Sequence, residues 1–289
     1  MKHHNARKRS EGRIDDLLNY RRPDRVPIGS MSLGFNALNA GYPVREVLDD
    51  PEKCFQAAVR TADLYDWDPI PQTPGHTVWG AIDFGGEIRM PQGRYESSLI
   101  ITSHPVRSEK DLETLKLPDP KTTGRIPLAM RFARLQAENG SPVFFSSRSP
   151  FTVAANICGL ENFCRWMIQK PALCRELMRL ALDHILNVLA YSIKTFGADG
   201  IFVWMSNPNE SNQVISPEHV AEFALPSHLA YHERLKAAGI RRFGLHLCGD
   251  QNLNLPLFAE ADPWPHPSVL SFGHEVDIET AAAHFPKDI

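Results

Sequence analysis

Apolar positions along the chain alternate between two periods. In "DPEKCFQAAVRTADLYDW" (50–67), Phe55, Val59, Ala62, Leu64 and Tyr65 fall at helical spacing. Asp50 is the expected N-cap there, and Pro51 opens the first turn. Unbroken apolar runs in "PVFFSS" (142–147), "ADGIFVWMS" (198–206) and "RRFGLHLC" (241–248) predict buried strands. Between them, "CRELMRLALDHILNVLAYSIKTFG" (174–197) predicts a long amphipathic helix stopping at Gly197. "SPEHVAEFALPSHLAYHERLKAAG" (216–239) predicts a helix broken at Pro226. "RVPIGSM" (25–31), after a short helix at Ile14–Tyr20, predicts an early strand, and "SVLSFGHEVD" (268–277) a late one before a helix at 278–285.

Strands alternating with helices at this spacing argue for a parallel sheet. No G-x-G-x-x-G and no P-loop follows any strand, so a (β/α)8 TIM barrel is expected in preference to an open nucleotide-binding sheet. Residues 79–104, with Gly85-Gly86 and Gln92-Gly93 between alternating segments, predict a small β-hairpin insertion. The closing "PKDI" reads as the start of a further strand, so the barrel is expected to be incomplete at its C-terminus. Residues 1–289 are expected to form a single domain, with 1–12 as a flexible, solvated tail.

Composition narrows the function classes. The 289 residues are 43% hydrophobic and 22% charged, which provides for a sizeable core. A net charge of −3 gives no global reason to expect nucleic acid or an anionic membrane as partner. No apolar run reaches the roughly 18–20 residues of a membrane span. Five cysteines without a CxxC pair or a signal peptide lead to an expectation of reduced thiols in the cytoplasm.

Candidate chemistry gathers at the C-terminal ends of the expected strands, where barrel enzymes build their sites. His246 and Cys248 are two apart, so on a strand they share a face and can converge on one ion, while Leu247 packs the other way. Imidazole and thiolate suit Zn2+. A lone His-x-Cys is equally a strand-end histidine beside a buried thiol. Just past another strand, Asn207, Asn209 and Glu210 face the expected mouth, as do His274 and Glu275 at the end of the last strand. Arg148 ends the 142–147 run and is placed to meet an anionic group, whereas His76 and Trp79 line the mouth or pack the core. Ser146 and Ser147 lack a G-x-S-x-G context and are not expected to be nucleophiles.

Four stretches carry a resemblance: "SPFTVAANICGLENF" (149–163), "KPALCRELMRLALDHILNVLAYSIKTFGADGIFVWMS" (170–206), "LHLCGD" (245–250) and "FGHEVDIETA" (272–281). Together they resemble the uroporphyrinogen decarboxylase superfamily, whose members share a (β/α)8 barrel. True decarboxylases of that superfamily carry an arginine-rich segment after the first strand. Here residues 26–43 contain no arginine, and a polycarboxylate facing no cation is poorly held. The resemblance therefore points to the corrinoid (methylcobamide) methyltransferase branch. It implies Zn2+ held by His246 and Cys248, and methylcobalamin carried by a partner corrinoid protein. The implied methyl acceptor is a thiol such as coenzyme M, or a folate. Glu210, His274 and Glu275 would be catalytic or supply a third zinc ligand, since the family's late cysteine has no counterpart after Cys248. Asn207, Asn209, Arg148 and His76 would bind substrate. Two alternatives stand beside this one: a decarboxylase-like enzyme of tetrapyrrole metabolism, and a truncated, non-catalytic paralogue that binds a corrinoid or a partner.

Overall fold

The computed structural model describes residues 12–13, 16–17, 19–29, 31–68, 76–93, 96–261 and 268–285. The basic N-terminal stretch and the closing "PKDI" lie outside the described residues. In chain order the elements begin with α1 (Leu33–Ala40), α2 (Val44–Asp49), α3 (Pro51–Tyr65), β1 (Glu87–Arg89) and β2 (Ile100–Ser103). Then come α4 (Glu109–Thr114), α5 (Ile126–Glu138), β3 (Val143–Arg148), α6 (Pro150–Cys158), α7 (Leu160–Gln169) and α8 (Pro171–Phe196). The last are β4 (Ile201–Ser206), α9 (Leu225–Ala237), β5 (Arg242–Leu247), α10 (Leu255–Ala261), β6 (Ser268–Phe272) and α11 (Ile278–His284).

The chain divides into two compact units. One comprises Met1–Gly75, Met90–Leu99 and Leu128–Phe144. In it, α3 starts where the Asp50 carboxylate accepts the Lys53 amide at 3.0 Å, a cap worth about 1 kcal/mol. Its apolar face buries Cys54, Phe55, Ala57 and Ala62, and Phe55 meets Phe132 edge-on at 5.9 Å. The segment around 25–29 is not the strand that its apolar residues suggest. Pro27 has no N–H to offer a neighbouring strand. The Ile28 N–H goes instead to the buried Asp68 carboxylate at 2.9 Å, which also holds Arg13 and Arg25, each at 2.8 Å.

The other unit comprises His76–Arg89, Ile100–Pro127 and Phe145–Ile289. Its sheet has the order β3-β4-β5-β6, and β4–β5 and β5–β6 run parallel. β1 and β2 form a separate antiparallel pair. α6 begins at Ser149, whose hydroxyl accepts the Thr152 amide, with Pro150 at the first position. α8 buries Leu177, Ala181, His184, Ile185 and Val188 along one stripe and stops at Gly197, where φ is +78°. Its His184 is 3.0 Å from Asp83, which also accepts the Gly80 amide at 3.0 Å. Irregularity near Pro226 takes the form of a π-helical stretch, Val220–Ala224, leading into α9. Along β5, Phe243, Leu245 and Leu247 are fully buried while His246 is half-buried.

Candidate functional site

The parallel register brings strand-end side chains into one transverse line. Ser206 of β4 pairs with His246 of β5, and His246 pairs with Ser271 of β6. Hydrogen bonds follow the same line. Arg148, at the end of β3, donates to the Ser206 hydroxyl, and His246 Nδ1 bonds the Ser271 hydroxyl at 3.0 Å. Anchoring Nδ1 in this way leaves Nε2 for another partner, the arrangement typical of a ligating imidazole.

Cys248 follows the last residue of β5 and is half-buried. Burial pushes its thiol pKa up, the Arg148 charge pulls it back down, and Glu275 adds to the rise. Burial lowers the His246 pKa, and the Arg148 charge lowers it further, so the ring is neutral near pH 7. Desolvation lowers the pKa of Arg148 itself, an effect countered by Cys248. These four groups therefore share one electrostatic environment. Gly249, at φ +76°, turns the chain directly after Cys248.

The remaining expected residues are placed unevenly. Asn207 and Glu210 are fully enclosed, and Asn209 is half-buried beside them in a short 3-10 turn. After β6, the His274 side chain is 93% exposed, whereas that of Glu275 is 28% exposed and turned back toward Gly249 and Cys248. His76 opens the 3-10 turn His76–Val78, and its side chain lies outside the described residues. Trp79 is core, packed edge-on against Phe145 at 5.7 Å, and Ser146 and Ser147 are buried.

Sequence reasoning missed three further participants: Ser206, Ser271 and His228. The serines matter through register alone. His228 is fully buried on α9 and lies 2.7 Å from Glu210. Its spacing of four from the equally buried His232 is the pattern that marks an inward polar face.

The sequence matches the family described as uroporphyrinogen decarboxylase (URO-D) over residues 10–289. The chain belongs to the URO-D family. Among relatives, it is 30% identical over 153 residues to a methylated-thiol–coenzyme M methyltransferase of Methanosarcina mazei, covering 52% of this chain and 40% of the relative. It is 25% identical over 247 residues to the methylcobamide:CoM methyltransferase MtaA of Methanosarcina barkeri, covering 82% of this chain and 68% of the relative. A solved structure described as a methyltransferase from Methanosarcina mazei superposes with a TM-score of 0.72 at 22% identity, over 87% of this chain and 73% of that one. That likeness establishes a shared fold.

Whether the residues suit Zn2+ divides into kind and number. His246 with an anchored Nδ1, beside a thiol facing a cation, is right in kind. Yet among the described residues no group of three or more His, Cys, Asp and Glu side chains is arranged to hold a metal ion. As described, the chain supplies two donors where a catalytic zinc uses three. Also among the described residues, no helix is long and apolar enough to cross a membrane.

Proposed function

We propose that the chain is a methyltransferase that moves a methyl group from a methyl-corrinoid protein to a small thiol acceptor, on a sheet that is part of a (β/α)8 barrel. The observation that carries this is the reach of the Arg148 charge to both His246 and Cys248, with the imidazole fixed through Ser271. The likeness to relatives named as methylated-thiol–coenzyme M and methylcobamide:CoM methyltransferases supports it, as does the absence of arginine from residues 26–43.

His246 and Cys248 would hold Zn2+, which when bound keeps an acceptor thiol deprotonated at neutral pH. The acceptor sulfur forms its bond to the methyl carbon as the bond from that carbon to its carrier breaks. Arg148 supplies a positive charge at this point, either for the acceptor's anionic group or for a thiolate. A thiol acceptor is favoured over a folate because a sulfur nucleophile is the species that such a donor set activates. A carrier protein docked over the strand ends would exclude water from the transfer.

The test measures zinc per chain, together with methyl transfer from free methylcobalamin to coenzyme M, for wild type, Cys248→Ser and His246→Ala. Stoichiometric zinc in the wild type, lost with activity in both variants, is the expected result. Decarboxylation of a porphyrinogen by the metal-free chain overturns the proposal. So does zinc content indifferent to both substitutions.

A further inference from the structure

Beneath the ends of β4 and β5 lies a line of enclosed polar groups that terminates on the Cys248 backbone. Glu210 Oε2 takes two donors, His228 Nε2 at 2.7 Å and Asn207 Nδ2 at 3.0 Å. Asn207 Oδ1 accepts the Cys248 amide at 3.3 Å. The backbone N–H of Asn207 reaches the His246 carbonyl, also at 3.3 Å. One asparagine thus ties down the main chain of both His246 and Cys248. Glu210, His228 and Asn207 are each 0% exposed.

An asparagine amide can sit either way round, and its neighbours decide which. The Glu210 oxygen accepts, so it takes the NH2 edge and leaves the oxygen edge for the Cys248 N–H. In the flipped orientation two oxygens would face each other, and the NH2 would confront another N–H. His228 reaches Glu210 from α9, immediately after the π-helical stretch Val220–Ala224, a departure from α-helical register that recurs at functional sites.

For stability alone this is an expensive arrangement. Among the described residues, Glu210 Oε1 and His228 Nδ1 are buried without a hydrogen-bond partner. Apolar side chains of similar volume would avoid that cost. We infer that Glu210 and His228 are a positioning pair: they set the Asn207 amide and, through it, the spacing of His246 and Cys248 at the end of β5. The bearing of this pair on methyl transfer rests on the function proposed above.

The test is the rate at which iodoacetamide alkylates Cys248 in the metal-free chain, read on the Cys248 peptide by mass spectrometry, with the melting temperature of each sample. The double substitution Glu210→Met/His228→Leu removes the pair and keeps apolar volume. Cys248 is then alkylated about 3- to 10-fold faster, the increase in local opening expected from losing one net hydrogen bond. The melting temperature falls only modestly, because the Asn207 NH2 loses its buried acceptor but the unpartnered Glu210 Oε1 and His228 Nδ1 are removed. Asn207→Ala alone gives the same acceleration, and combining all three substitutions adds nothing further, because they act through one bond. Glu210→Gln, which keeps an oxygen for both donors, retains the wild-type rate.

An unchanged rate in the double variant overturns the inference, and so does acceleration that adds to that of Asn207→Ala. If the double variant does not fold, the single substitutions decide: fast Asn207→Ala with slow Glu210→Gln supports the pair, and any other combination overturns it. The readout uses no metal, corrinoid or acceptor. Loss of the methyltransferase proposal therefore leaves this result intact, and the reverse also holds.

Discussion

Gly273 approaches Gly249 so closely that a methyl group on Gly273 would lie 2.7 Å from the Gly249 nitrogen and 2.9 Å from its carbonyl oxygen. The same methyl group would lie 2.8 Å from Glu275 Oε2. The turn after Cys248 and the turn after β6 therefore interlock through bare backbone. Gly273→Ala is expected to cost about 1–3 kcal/mol, because the Glu275 carboxylate can swing aside but the two Gly249 backbone atoms cannot. Urea denaturation measures that cost, and faster alkylation of Cys248 in the folded variant reports the displaced turn.

Thiol reactivity at Cys248 should follow its electrostatic surroundings in sign. Burial raises its pKa, Arg148 lowers it and Glu275 raises it. In the metal-free wild type the alkylation midpoint lies above that of a free cysteine measured alongside. Arg148→Met removes the cation that favours the thiolate, so the midpoint moves higher still. Glu275→Gln removes an anion and moves it lower. Shifts in the opposite directions would show that the three groups do not share the environment described.

Asp83 holds two buried donors, the Gly80 amide and the His184 ring. Asp83→Ala strands both, each at about 1–3 kcal/mol. A fall in the urea midpoint is expected. Asp83→Asn, which retains an acceptor oxygen, should lose less.

Acid stability has a local component at Asp24, whose pKa is drawn down to about 2, chiefly by its hydrogen bond from Arg13. A depressed carboxylate stabilises the fold above its ordinary pKa of about 3.9 and loses that contribution as pH falls toward 2. Asp24→Asn should therefore lower stability at pH 5 and converge on the wild type only at about pH 2. The gap at pH 5 is small because the side chain is 65% exposed. Chemical denaturation at the two pH values checks the convergence.

Much of the sheet was legible because its strands are short unbroken apolar runs between helices with explicit caps. Asp50 and Gly197 mark their boundaries in sequence and again in structure. The segment at 25–29 was not legible. Its apolar residues look like a strand, and only the distant Asp68 reveals where the Ile28 amide goes. At the site, a spacing of two suggests a common face for His246 and Cys248, but β5 ends at Leu247 and Cys248 lies just beyond it. The inward turn of Glu210 is not legible, since its partner His228 comes from the next helix. The contrast between exposed His274 and the more covered Glu275 is not legible either, nor is the approach of Gly273 to Gly249, a contact between separate turns that no local pattern encodes.

The transverse line Arg148–Ser206–His246–Ser271 has a consequence for how this site can change. Ser206, His246 and Ser271 are each fixed by the residue that stands opposite, and Arg148 joins them through the Ser206 hydroxyl, so the line is written in strand alignment as much as in residue identity. Sliding β5 by a single position would replace His246 in the line with Leu245 or Leu247 and drive the imidazole into the core. A one-residue insertion or deletion within β5 would thus break up this line of strand ends and leave a packing defect in its place. Substitutions at the strand ends, by contrast, can vary the chemistry while the alignment stays put.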